Sequence, residues 1–270
     1  MKIKLLAVLA AVVVLAGACN KGASQSGAAQ PYTIEVGGST SVTPLMELFA
    51  HEYEKVKPNI KVNINGTGSG DGITNAGVTY QIGMSSRDLT PAEQGRGLNA
   101  EIVAIDGIGV IVNSNNTIAN LSLEQIQSIY TGVITNWNQV GGKSAPIAVV
   151  SREEGSGTRG AFEELVKFQG KLLANANQLT STGAILANIA QNENAIGYIS
   201  LGSVNDTIKA ISVGGIEPTT ANVKNGTYKI ARPFIVLTGN NVHAETKAFI
   251  EWTLSSAGQA IVSKSWITVK

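Results

Sequence analysis

The chain has 270 residues, 43% of them apolar, with 20 Lys and Arg against 19 Asp and Glu and a formal net charge of +1. Its scattered basic residues argue against the basic stripe of a nucleic-acid binder, and 5% aromatics disfavour a stacking site for sugars or bases. One cysteine and two isolated histidines give neither a disulfide framework nor a metal-ligand spacing, so stability must come from an apolar core.

Lys2 and Lys4 precede an unbroken apolar run, residues 5–15 (LLAVLAAVVVL), which is too short to span a bilayer and suits the core of an export signal. It ends in Ala16-Gly17-Ala18-Cys19. This boundary resembles a bacterial lipoprotein cleavage site, which implies a signal peptide over 1–19 and a diacylated Cys19 as first residue of the mature chain. Such sites usually carry Leu where Ala16 stands, and here Leu15 lies one position further back. Residues 20–31, rich in Gly, Ala, Ser and Gln, predict a flexible tether. Two acyl chains would retain the chain at a membrane, since each buried CH₂ contributes about 0.8 kcal/mol and a single chain binds only marginally.

The first apolar strand, 32–36, runs into Gly37-Gly38-Ser39-Thr40-Ser41 and then an amphipathic helix over 43–55, in which His51 reads as a surface residue. A second strand, 60–64, ends in Gly66-Thr67-Gly68-Ser69-Gly70-Asp71-Gly72 before another helix start. A third, 80–84, ends in Ser85-Ser86-Arg87-Asp88. This alternation predicts an α/β fold, and open α/β sheets bind ligands at the C-terminal ends of their strands. Residues 101–113 (EIVAIDGIGVIVN) and 228–238 (YKIARPFIVLT) are each too long for one ordinary strand and each is broken near its middle. Segments of this kind can pass between lobes, which predicts two lobes, a two-stranded hinge and a cleft. Lobe 1 would comprise 32–106 plus 234–270, including a helix over 245–255, and lobe 2 would comprise 107–233.

Residues 150–160 (VSREEGSGTRG) lie between an apolar strand, 147–150, and a helix beginning near 161. Glycines let backbone N–H groups turn toward one point, and a helix N-terminus adds partial positive charge there. Ser156 and Thr158 add hydroxyl donors, and Arg152 can pair bidentately with an oxyanion. Gly155-x-Gly157-x-x-Gly160 also fits the dinucleotide fingerprint, but residues 171–182 lack the acidic partner that fingerprint needs. Gly157-Thr158-Arg159 is not the Gly-Lys-Ser/Thr ending of a Walker loop. Neither histidine lies near a Gly-x-Ser-x-Gly elbow, and no metal pair or activated nucleophile is evident. A non-enzymatic binding protein without cofactor or metal is therefore expected.

These loops together resemble a known family. Gly38-Ser39-Thr40-Ser41, Gly66-x-Gly68-Ser69, Ile82-Gly83-Met84-Ser85-Ser86-Arg87 and Arg152-x-x-Gly155-Ser156-Gly157-Thr158 are similar to the phosphate-binding lipoproteins of ABC phosphate importers. Ile129-Tyr130-Thr131-Gly132-x-Ile134-x-x-Trp137 adds a signature read as packing. The resemblance implies a two-lobed type II periplasmic binding protein fold with a two-stranded hinge and ligand cleft. It also implies capture of inorganic phosphate outside the cell and delivery to the transmembrane subunits of an ABC permease, by a lipid-anchored monomer at the outer face of the membrane. The implied site is Thr40, Ser41, Ser69, Ser86, Arg87, Arg152, Ser156, Gly157 and Thr158. Ser86 stands where such proteins commonly carry an Asp that accepts the phosphate proton; Ser86 can itself accept a hydrogen bond, and Asp71 could substitute, although it reads first as a solvated residue at a helix N-terminus. Sulfate or molybdate binding, a surface phosphate sensor and a secreted phosphatase are the competing readings.

Overall fold

The computed structural model describes residues 30–270; the expected signal peptide, Cys19 and all but the end of the 20–31 tether lie outside the described residues. Strand β1 (Tyr32–Gly38) leads into helix α1 (Thr43–Val56), β2 (Ile60–Gly66) into α2 (Ser69–Asn75), and β3 (Ile82–Ser85) into the short α3 (Pro91–Gln94). The long β4 (Asn99–Asn113) is followed by β5 (Asn120–Leu121), α4 (Leu123–Tyr130), β6 (Ala148–Arg152), α5 (Gly157–Leu165), β7 (Asn177–Leu179) and α6 (Thr182–Gln191). Then come β8 (Ala195–Ser200), β9 (Ile208–Ala210), β10 (Ser212–Val213) and α7 (Thr220–Lys224). The chain returns along β11 (Ala231–Thr238) to α8 (Ala244–Thr253) and α9 (Ser256–Val262).

The main sheet runs β2-β1-β3-β11-β4-β8-β6-β7, with β9 also beside β4. Within it, β1, β2 and β3 are parallel, and so are β6, β7 and β8, whereas β11 runs antiparallel to both β3 and β4. Strand β4 serves both halves of the sheet. Its residues 99–107 pair with β11, and 108–112 pair with β8. Apolar cores gather on either side of this junction. One holds Val36, Phe49, Met84, Val103 and Phe234; the other holds Ile108, Val110, Tyr130, Trp137, Phe162 and Tyr198. Residues 31–270 nevertheless form one compact unit.

Local chemistry sets the element ends. Helix α1 buries Leu45, Met46, Phe49, Ala50 and Tyr53, a stripe at helical spacing. It stops at Val56, because Pro58 disfavours helical backbone at Lys57. Helix α5 starts at Gly157, four residues before the position suggested by its apolar run, because the Ser156 hydroxyl accepts the Arg159 N–H at 3.3 Å and caps it there. Strand β3 starts at Ile82 rather than residue 80, since the backbone at 78–80 turns to donate to the Asn75 carbonyl. Strand β11 starts at Ala231 rather than residue 228, and the Tyr228 hydroxyl donates instead to the Ile108 carbonyl at 2.8 Å. Trp137 and Tyr130 are core residues, as the packing reading of that signature expected. His243 caps α8 and stacks on Tyr32 at 4.1 Å between ring centroids, whereas His51 is exposed. No helix among the described residues is long and apolar enough to cross a membrane.

Candidate anion-binding site

Because β1, β2 and β3 are parallel and in register, their C-terminal ends lie together. Helix α2 then sits directly on the sheet backbone. A Cβ on Gly72 would stand 2.6 Å from the Met84 carbonyl oxygen, and one on Gly83 would stand 2.2 Å from the Gly72 oxygen, so side chains are excluded at this contact. That approach sets Ser69 Oγ 3.2 Å from Ser86 Oγ and lets it accept the Ser86 N–H at 3.1 Å. Ser39 Oγ donates to Ser86 Oγ at 2.8 Å from the loop after β1.

The other half of the sheet meets this cluster directly. Ser41 Oγ lies 2.7 Å from Thr158 Oγ1 at the start of α5 and 3.3 Å from Thr182 Oγ1 at the start of α6. Thr40 Oγ1 lies 3.2 Å from the Thr182 hydroxyl and accepts the Thr182 N–H at 3.3 Å. The Gly70 N–H donates to the Gly155 carbonyl at 3.0 Å, so the glycine-rich loops touch across the cleft. Ser39, Ser41, Ser69, Ser86 and Thr158 are all buried. Buried hydroxyls need partners, and a ring of them contributed by separate loops can turn its protons toward one acceptor.

Two buried arginines flank the hydroxyls. Arg152 gives Nε and Nη2 to Glu153 at 2.8 and 2.7 Å and reaches the Leu179 and Thr180 carbonyls. Arg232, on β11, donates Nη1 to Thr158 Oγ1 and to the Ser86 carbonyl, both at 2.8 Å, and Nη2 to Asp106 at 3.1 Å. Asp106 lies opposite Arg232 in the β4–β11 register and also accepts from Ser200 at 2.8 Å. Burial pushes Asp106 up to about 6, with Arg232 and Ser200 pulling the other way. Burial also lowers Arg232; Asp106 opposes that, and the nearby Arg152 charge adds to it. Each arginine thus has its own carboxylate, so a bound anion would be held largely by O–H and N–H dipoles.

Of the residues expected at the site, Thr40, Ser41, Ser69, Ser86, Gly157 and Thr158 come together. Gly157 is so close that an added Cβ would lie 2.3 Å from Ser69 Oγ. Ser156 uses its hydroxyl as the α5 cap. Arg87 departs from expectation: its guanidinium is gripped by Glu93 at 2.7 and 2.8 Å and also donates to the Asp88 carbonyl at 2.8 Å. Asp71 accepts from Thr67, Asn75 and Tyr80 at 2.5, 2.7 and 2.9 Å, so most of its acceptor capacity is used beside its own helix rather than on the hydroxyl cluster. Sequence reasoning missed Ser39, Thr182, Asp106 and Arg232. Among the described residues, no group of His, Cys, Asp and Glu could hold a metal ion.

The Arg87–Glu93 pair makes a pH-dependent contribution. The Arg87 hydrogen bonds hold the Glu93 carboxyl down at about 2, below its ordinary 4.5, so this stabilisation is present above pH 4.5 and disappears as pH falls toward 2. Glu93→Gln is expected to flatten the profile of thermal midpoint against pH across that window. Parallel profiles for the two proteins would show that the pair contributes nothing.

Comparison with known proteins places this geometry. Residues 23–257 match the model of a PBP superfamily domain. The Borreliella burgdorferi phosphate-binding protein PstS is 31% identical over 244 residues, covering 86% of this chain and 88% of the relative. A Clostridium perfringens phosphate ABC transporter substrate-binding protein, solved with bound phosphate, superposes with a TM-score of 0.87 at 45% identity over 88% of this chain and 100% of its own. An ABC-type phosphate transport receptor from Vibrio cholerae gives 0.73 at 36% identity, again over 88% of this chain and 100% of its own. With the family model spanning most of the chain and relatives matched over nearly their whole length, the chain belongs to the PstS family of phosphate-binding proteins within the PBP superfamily.

Proposed function

We propose that the chain captures inorganic phosphate outside the cytoplasmic membrane and delivers it to the transmembrane subunits of an ABC-type import permease. The observation that carries this reading is the set of hydroxyls Ser39, Thr40, Ser41, Ser69, Ser86, Thr158 and Thr182, all buried except the half-buried Thr40, which converge from separate strand ends and helix starts with Arg232 donating to Thr158. Such a site satisfies the many acceptor positions of a tetrahedral oxyanion with neutral donors, and it discriminates through the buried groups left unpaired when the wrong ligand enters.

In this reading lobe 1 (32–106 and 234–270) and lobe 2 (107–233) close on the anion about β4 and β11. The junction of the two cores at these strands supports that division. The ligand leaves unchanged, so no catalysis is involved; the matched Clostridium perfringens protein is likewise described as a substrate-binding protein. The chain acts as a monomer, tethered through a diacylated Cys19. Ser86 at the position expected for an Asp favours one second reading, a less discriminating oxyanion receptor that also takes sulfate or molybdate.

Cell fractionation tests the anchor, and phosphate uptake tests the delivery. Wild-type chain is expected to partition with membranes, incorporate a fatty-acid analogue and restore high-affinity phosphate uptake to cells lacking their own binding protein. Cys19→Ala is expected to remain unlabelled, as precursor or released protein. Equal labelling of the two would reject the anchor, and failure of the wild type to restore uptake would reject delivery to a permease.

A further inference from the structure

Arg232 lies outside every loop that carries the family likeness, in a segment that otherwise reads as apolar strand, yet it is buried against the hydroxyl cluster. We propose that Arg232, held in place by Asp106, is a positioning residue of the anion site that fixes the Thr158 hydroxyl as a donor and supplies a second positive charge. The proposal rests on the phosphate reading of the cleft.

The direction of the hydrogen bonds supports it. A guanidinium has donors and no acceptor. In its 2.8 Å contact with Arg232 Nη1, Thr158 Oγ1 must therefore accept, so its own proton points elsewhere, to Ser41 Oγ at 2.7 Å or to an oxyanion arriving there. The same nitrogen donates to the Ser86 carbonyl and so ties the loop after β3 to the start of α5. Arg232 Nε is buried without a protein partner, so the protein does not use the guanidinium's full donor capacity. The Phe234 ring lies 5.2 Å from its Cζ. Asp106 fixes the other end of the fork and is itself anchored by Ser200, at the junction of the two cores.

A simple structural ion pair and an anion determinant predict different outcomes. If the pair is only structural, Arg232→Gln and Asp106→Asn should disturb phosphate binding alike. If Arg232 serves the anion, the two variants separate, because Arg232→Gln removes a cation and donor near the ligand, whereas Asp106→Asn keeps the cation and an acceptor for it.

The test is calorimetric titration of inorganic phosphate onto the full chain, purified in mild detergent and dialysed free of phosphate. Arg232→Gln is expected to weaken binding by about 10- to 100-fold, the scale of a lost hydrogen bond from a charged donor. Asp106→Asn, in which an amide oxygen can still accept from Arg232 Nη2, is expected to lose clearly less affinity than Arg232→Gln. Arg232→Lys and Thr158→Val, measured singly and together, should lose less than the product of their separate effects, since they share one hydrogen bond. This cycle also decides the matter if Arg232→Gln does not fold. Wild-type binding combined with undiminished affinity in Arg232→Gln, equal losses in Arg232→Gln and Asp106→Asn, or a strictly multiplicative cycle would each overturn the proposal. Absence of phosphate binding by the wild type would instead overturn the phosphate reading, and this proposal with it.

Discussion

Arg152→Ala is expected to weaken phosphate binding by about 2–3 kcal/mol, or roughly 30- to 150-fold, while leaving the chain folded. Arg152 ends β6 at the mouth of the glycine-rich loop and is 2% exposed. Glu153 and two carbonyls hold its Nε and Nη2, which leaves Nη1 outside those contacts. Truncation removes a charge-assisted donor from a water-poor site and leaves Glu153 as an uncompensated negative charge beside the anion. Both changes act in the same direction. Thr158→Val, which keeps shape and removes one hydroxyl, should cost less, about 1 kcal/mol. Calorimetry on the two variants, with thermal melts in the absence of phosphate, separates lost affinity from lost folding. Equal, negligible losses would mean that residues 150–160 form only a turn.

Gly157→Ala is expected to produce a comparable loss by a different route. A Cβ at this position would lie 2.3 Å from Ser69 Oγ, 2.8 Å from Ser69 Cβ and 2.9 Å from Ser86 Oγ, all closer than van der Waals contact allows. Ser69 cannot retreat, because α2 already rests on the sheet backbone through Gly72 and Gly83. The α5 N-terminus must therefore move away from the loops after β2 and β3, which separates the two sets of hydroxyl donors. Each half keeps its own core, so the unliganded melting temperature should change little, while the rise in melting temperature on adding phosphate should largely vanish. Solution scattering is expected to show a more open particle with phosphate than wild type shows. An unaltered phosphate-induced stabilisation would contradict direct contact of the two halves at Gly157.

The sequence revealed the loops of the site and the two long hinge strands far better than the charged pair that those strands carry. Clusters such as 37–41, 66–72 and 150–160 are legible because Gly, Ser and Thr have little use inside a buried strand, and a run of them after an apolar stretch marks where a strand ends. Parallel strands then bring those ends to one side. Thr180-Ser181-Thr182-Gly183 carries the same signal ahead of α6, and Thr182 joins the cluster. Arg232 and Asp106 were hidden for another reason. Each interrupts a long apolar run, and pairing residues so far apart requires the β4–β11 register, which periodicity does not provide. One acidic and one basic residue, each at the break of a hinge segment, was the available clue. Arg87 reads as a site charge because it follows Ser86 at the end of β3. The capping box of Thr90 with Glu93, three residues beyond, fixes the carboxylate that takes its guanidinium.

Selectivity between phosphate and sulfate tests the central claim most directly, since near neutral pH phosphate carries a proton and sulfate does not. Ser86 Oγ accepts from Ser39 and lies beside Ser69, and a hydroxyl oxygen has a second lone pair with which to accept the phosphate O–H. Calorimetric titration of both anions onto the phosphate-free wild-type chain is predicted to favour phosphate by at least about tenfold, or ~1.4 kcal/mol. Sulfate binding as tight as phosphate, or no phosphate binding at all, would contradict it.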